Sequence, residues 1–264
     1  MTELQQKYLE VSKEIDSIRN NINSNLDQYP DYLGWFDLNS PLIYNPDILF
    51  IGINFGPGRF VLENRKNWDK EAKRLKDESK KRYPKDLEIP WRSHLEWIKP
   101  GNARRKSNDN NKDEKEAEWW DSSKKMKNFF VYYMCELLVR IYRHEYSYPN
   151  VSRKELTDVF EKKVMATNLF PMSTFKISGL NRIIKSYRKN NHIDITKVCR
   201  KHIADLIQLV NPRCVVLLGK TIEEDLSFVL HDKPFYCINR NRGWHSKKNI
   251  KKMADDIYEL MRKK

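Results

Sequence analysis

Apolar runs occur at 47–53 (DILFIGI), 164–169 (VMATNL), 214–219 (CVVLLG) and 235–238 (FYCI), each bounded by polar or turn-forming residues. They lack the alternation of a half-exposed strand, so they read as strands covered on both faces, as in a parallel sheet. Between them hydrophobic positions return at helical spacing. Met126, Phe130, Tyr133, Leu137 and Ile141 mark a helix near 122–145. Further helices are predicted at about 3–26, after the capping-box sequence SRKE at 152–155, at 194–210, at 221–230 and from 247. The segment 175–190 reads only as basic. Strands separated by helices predict a three-layer α/β/α architecture with a four-stranded, mainly parallel sheet, in one domain spanning 1–264.

Two stretches break the pattern. A connector rich in Tyr and Pro (DQYPDYLGWFDLNSPLIYNP) leads into the first strand, and a polar, irregular insertion occupies 61–123. The insertion carries Trp91, Trp97, Trp119 and Trp120, and its run NARRKSNDNNKDEKEAE is too charged to pack, which predicts a mobile loop around 102–117.

Charge adds a partner class. The chain has 50 basic against 36 acidic residues, a net charge of +14, so polyanions are favoured and nucleic acid leads. A generally lysine-rich surface is the plainer alternative. Nothing at the N-terminus has the apolar core of a signal peptide and no window has the length of a membrane span, so a cytoplasmic monomer is expected. The four cysteines, Cys135, Cys199, Cys214 and Cys237, are 64, 15 and 23 residues apart with no CxxC pair, which speaks for reduced thiols and against a compact metal site.

Candidate chemistry collects where the strands end. GINFGPG (52–58) places Asn54 at a strand tip among glycines, TNLFP (167–171) brings Asn168 to a second tip, and Gly219 closes a third. The loop after the fourth strand, NRNRGWHSKKN (239–249), holds His245 among cations. Six Lys or Arg residues and no acid lie between 239 and 253. In a parallel sheet these groups share the carboxyl edge, where ligands of such sheets bind. Each residue also has a plain reading: Asn54 as a left-handed turn residue, Asn168 as a cap before Pro171, His245 as a loop histidine bonding backbone.

In that order and spacing, the four segments resemble the uracil-DNA glycosylase superfamily over about 47–260, closest to its single-strand-selective monofunctional and mismatch-specific branches. GINFGPG is similar to their first motif, VVLLGK (215–220) to the third strand, and WHSKKN (244–249) to a degenerate His-Pro-Ser loop. The resemblance implies a monofunctional DNA glycosylase needing no metal or cofactor. It implies Asn54 as the group positioning the hydrolytic water, His245 as the group stabilising the departing base, and Asn168 as the reader of a flipped-out base. Departures are specific: Phe55 stands where the family has proline, no proline separates His245 from Ser246, and the first motif has no acid to act as general base.

The chemistry suits those groups. Breaking an N-glycosidic bond leaves cationic character on the sugar and negative charge on the base, so water must be held near the anomeric carbon and the anion stabilised. Asn54 can accept from water but cannot take its proton. Phe60 in the first place, or Phe55 or Trp68, can offer a face to an extruded base, the plainer role for each being to pack the turn onto the sheet. Arg240, Arg242, Ser246, Lys247 and Lys248 can bind the phosphates of single- or double-stranded DNA. The altered first motif and the large insertion suggest a modified or bulky pyrimidine, such as phage DNA carries, and a role in defence or repair. Two other readings stand beside this one: a binding module that kept the fold without the chemistry, supported by the missing carboxylate, and a phosphate-cradling turn, which lacks the P-loop lysine and hydroxyl.

Overall fold

The alternate pointing of side chains along the strands sorts the core into two layers. The structure, a computed structural model, describes residues 2–38, 40–55, 129–145, 153–174, 176–240 and 243–262. The insertion at 61–123 and its expected mobile loop at 102–117 lie outside them, as does Ser152 of the capping-box sequence.

In chain order the elements are α1 (Glu3–Ser24), β1 (Gly34–Trp35), β2 (Ile48–Phe55), α2 (Phe129–Ile141), α3 (Arg153–Lys162), β3 (Val164–Ser173), α4 (Ile177–Asn191), α5 (Ile195–Val210), β4 (Cys214–Leu217), α6 (Lys220–Leu226), β5 (Phe235–Cys237) and α7 (Lys247–Arg262). The sheet order is β1-β3-β2-β4-β5, with β2 to β5 parallel and β1 antiparallel to β3. The α/β sheet expected from the sequence is present, extended by one edge strand. β1 comes from the aromatic connector, and two residues are too few to show a period.

Leu49, Ile51, Met165, Leu169, Val215 and Leu217 face one layer, covered by α1, α4, α5 and α6. Ile48, Phe50, Val164, Ala166, Cys214 and Val216 face the other, covered by α2, α3 and α7. Both faces of β2, β3 and β4 are therefore dry, which explains why their sequences read as unbroken apolar runs. The connector packs as core too: Tyr29, Tyr32, Trp35 and Phe36 are buried.

Local signals place the helix ends. Thr2 caps α1 in a reciprocal capping box with Gln5. Asp194 caps α5 by accepting from the Thr196 N–H at 3.0 Å. The segment 175–190, read only as basic, is α4, whose buried Gly179, Leu180, Ile183 and Tyr187 form its inner stripe. β3 runs beyond the 164–169 expected, through Pro171 to Ser173, and its register against β2 slips between Asn54 and Phe55. Pro171 has no N–H to give the ladder, which accounts for the slip at that point. All four cysteines are free thiols. Burial pushes Cys214 up to about 12 and Cys237 up to about 11, so they stay protonated at neutral pH. No described helix is long and apolar enough to cross a membrane.

Candidate functional site

The parallel strands bring the ends of β2, β3, β4 and β5 to one edge, and the even-numbered positions at the start of β2 and β3 point to the α2/α3/α7 face, whereas Phe170 and Met172, further along β3, turn to the other layer. Gly52 and Asn168 are register partners, and Asn54 lies two residues further along β2. The two carboxamides thus lie on neighbouring strands, offset by about 7 Å along the strand direction. Asn168 sits within β3, not at its end, and is only 7% exposed.

Gly52 is where it is because of Asn168. A Cβ at position 52 would stand 2.2 Å from the Asn168 Oδ1, inside any permissible contact. The carboxamide of Asn168 occupies the space that any side chain at 52 would fill.

The polarity of the Asn54 amide follows from a chain of donors. Thr174, itself buried, donates its hydroxyl proton to the Lys176 carbonyl at 3.0 Å. Its oxygen can then only accept, and it accepts from Asn54 Nδ2 at 2.9 Å. The amide nitrogen is committed to Thr174, so the carbonyl oxygen Oδ1 is the end turned away from it. An acceptor with that orientation suits a water molecule better than an anion. Nothing in the sequence pairs Asn54 with Thr174, which lies 120 residues away.

His245 occupies a turn before α7, on the same edge. The turn closes through Ser246 N–H donating to the Gly243 carbonyl at 3.0 Å and Asn249 Nδ2 donating to the same oxygen at 2.8 Å. Gly243 has φ +82°, a left-handed conformation that favours glycine. Hydrogen bonds do here what a proline between His245 and Ser246 would otherwise do. The His245 ring is exposed and meets Trp244 edge-on at 5.8 Å, while Trp244 packs on the α2/α3/α7 layer. The tip of β5 is two strands from β2, about 10 Å. Asn54 and Asn168 are brought to neighbouring strands; His245 shares their edge, and α7, which follows it, packs on the α2/α3/α7 side of the sheet.

Ser246 is also the N-cap of α7, its Oγ accepting from the Asn249 N–H at 3.3 Å. As an acceptor there it keeps its own proton to donate. Lys247, Lys248, Lys251 and Lys252 are exposed on the first two turns, with Arg240 exposed before them, and the first turn has no acid. Cations at a helix N-terminus oppose the macrodipole, so the arrangement disfavours the isolated helix and favours a docked anion. Phe60 and Arg242 lie outside the described residues, as does the side chain of Phe55. No group of three or more metal-binding side chains occurs among the described residues.

Thr174, Gly52 and Asn249 are the site residues that sequence reasoning missed. Gly52 and Asn249 fall within the quoted motifs but carry no chemistry of their own. No protein-family model matches the chain, and no curated protein matches it.

Proposed function

We propose that this chain is a monofunctional DNA glycosylase that hydrolyses the N-glycosidic bond of an extruded uracil-like or modified pyrimidine. The observation that carries the reading is the Asn54–Thr174 pair, which sets a carbonyl acceptor at the tip of β2 beside the buried carboxamide of Asn168. Asn54 Oδ1 accepts from the attacking water and aims its oxygen at the anomeric carbon. The C1′–N bond breaks, its electron pair goes to the base, and the water oxygen bonds to C1′. One water proton goes to solvent, because no carboxylate stands in 52–58 to receive it. Asn168 offers both donors and an acceptor to the edge of the base. His245 donates to the oxygen on which the negative charge of the base accumulates. Arg240, Lys247, Lys248 and the Ser246 hydroxyl hold flanking phosphates.

The substrate we favour is a modified pyrimidine of the kind carried by phage DNA, which fits a turn with Phe55 in place of proline. The test is abasic-site formation on oligonucleotides holding uracil and on phage DNA with modified bases. Turnover of plain uracil alone would remove the defence role. No base release from any substrate, with DNA binding intact, would favour a non-catalytic binding module, the reading that the missing carboxylate supports.

A further inference from the structure

A groove of about 430 Å³ runs between the 28–31 segment and α4, lined by Tyr29, Pro30, Arg182, Ile183, Lys185 and Lys189 among others. It lies at the carboxyl edge. Gly34, just after the segment, pairs with Ser173 at the end of β3, and the Leu33 N–H donates to the Ser173 carbonyl at 2.9 Å. α4 is fastened along this segment: Asp31 packs on Gly179, Tyr187 meets Tyr29 at 6.1 Å, and Asn190 donates to Gln28 at 2.9 Å.

The charge of the groove is uncompensated. Its one carboxylate, Asp31, is held by both arms of Arg182 at 2.7 and 2.6 Å, so that pair cancels. Lys185 and Lys189, one helical turn apart and exposed, have no ion pair among the described residues, and α4 contains no acid. Burying Ile183 and Tyr29 beneath them gives the cations a rigid floor.

We infer that this groove is a second phosphate track, which grips the sugar–phosphate backbone of DNA on the side of the site opposite α7. The inference rests on the nucleic-acid reading above. The pair β2/β3 sits between the two cationic surfaces, with β1 and α4 to one side and β5 with the start of α7 to the other. Four strand spacings, about 19 Å, separate the sheet edges, a span of roughly six nucleotides of a duplex strand. A strand crossing the edge with one nucleotide extruded at β2/β3 therefore meets lysines on both flanks. The contacts are to phosphate, so they carry affinity without sequence preference.

The experiment measures affinity for single-stranded and duplex oligonucleotides against salt, for the wild type and for Lys185→Gln/Lys189→Gln. Loss of two phosphate contacts lowers the slope of log K on log salt by about 1.4 on single strands and about 1.8 on duplex. Lys233→Gln, before the amino end of β5 and away from the carboxyl edge, leaves it unchanged. Base release at saturating DNA is the same in wild type and double variant. An unchanged slope in a wild type that binds DNA overturns the groove and leaves the glycosylase reading standing. A reduced slope with no base release by the wild type supports the groove and removes the enzyme. A wild type that binds no oligonucleotide overturns both.

Discussion

Replacing Thr174 by Val keeps its shape and removes the acceptor of the Asn54 amide. The expected result is base release lower by about 10²-fold, since the water loses its aligned acceptor, and a stability loss of about 1–3 kcal/mol for the stranded Nδ2. Thr174→Ser restores both, which single-turnover kinetics and urea unfolding will show. Gly52→Ala is the matching steric test. Its Cβ drives into the Asn168 Oδ1, so both stability and base release fall, and in an Asn168→Ala background the same substitution costs little stability. A cost that stays additive would mean that residues 52 and 168 do not meet. Two separate buried titratable groups predict a pH effect on the fold. Asp37, wholly buried, is raised from 3.8 to about 7 by desolvation first and the nearby Asp16 second. Its folded state holds a proton that the unfolded chain releases, so its contribution is full below about 4 and is lost as pH rises through about 7. His202 is lowered from 6.5 to about 4 by desolvation, so its contribution is present above 6.5 and is lost as pH falls towards 4. The two oppose each other between pH 4 and 6.5. Asp37→Asn removes one, and stability measured by thermal unfolding should then rise with pH across that window.

Lys247 and Lys248 show the competing demands on an element. They begin α7 at the positive end of its dipole, with no acid in the first turn. Exchanging them for Gln should raise the melting temperature by about 1 °C each while weakening DNA binding and its salt dependence. Among elements, the inner strands were legible because β2, β3 and β4 are dry on both faces and their apolar runs reflect that. α1 and α5 were legible for another local reason, amphipathic spacing behind a cap. α4 was not, since four cations dominate its sequence while its buried face is only Gly179, Leu180, Ile183 and Tyr187. β1 escaped because a two-residue strand exists only through its partner: Gly34 and Trp35 are extended where Ser173 and Met172 offer a ladder.

Across the whole molecule, a net charge of +14 favours anionic partners electrostatically without saying where one would dock. The fold distributes that charge. Half of the candidate site was readable: Asn54 and the His245 loop follow strands that hydropathy alone locates, and parallel strands send them to one edge, whereas Asn168, read as a strand tip, lies within β3. What could not be read is everything that depends on groups far apart in the chain. Thr174 finds Asn54 across 120 residues, Asn168 claims the space above Gly52, and residues 28–31 form a groove with α4. Burial pattern, capping and strand identity are local consequences of side-chain polarity and backbone preference, so the order of residues suffices for them. Amide orientation, steric exclusion and the placing of cations on two flanks arise from contacts across the fold, and they come into being only once the sheet has closed its register.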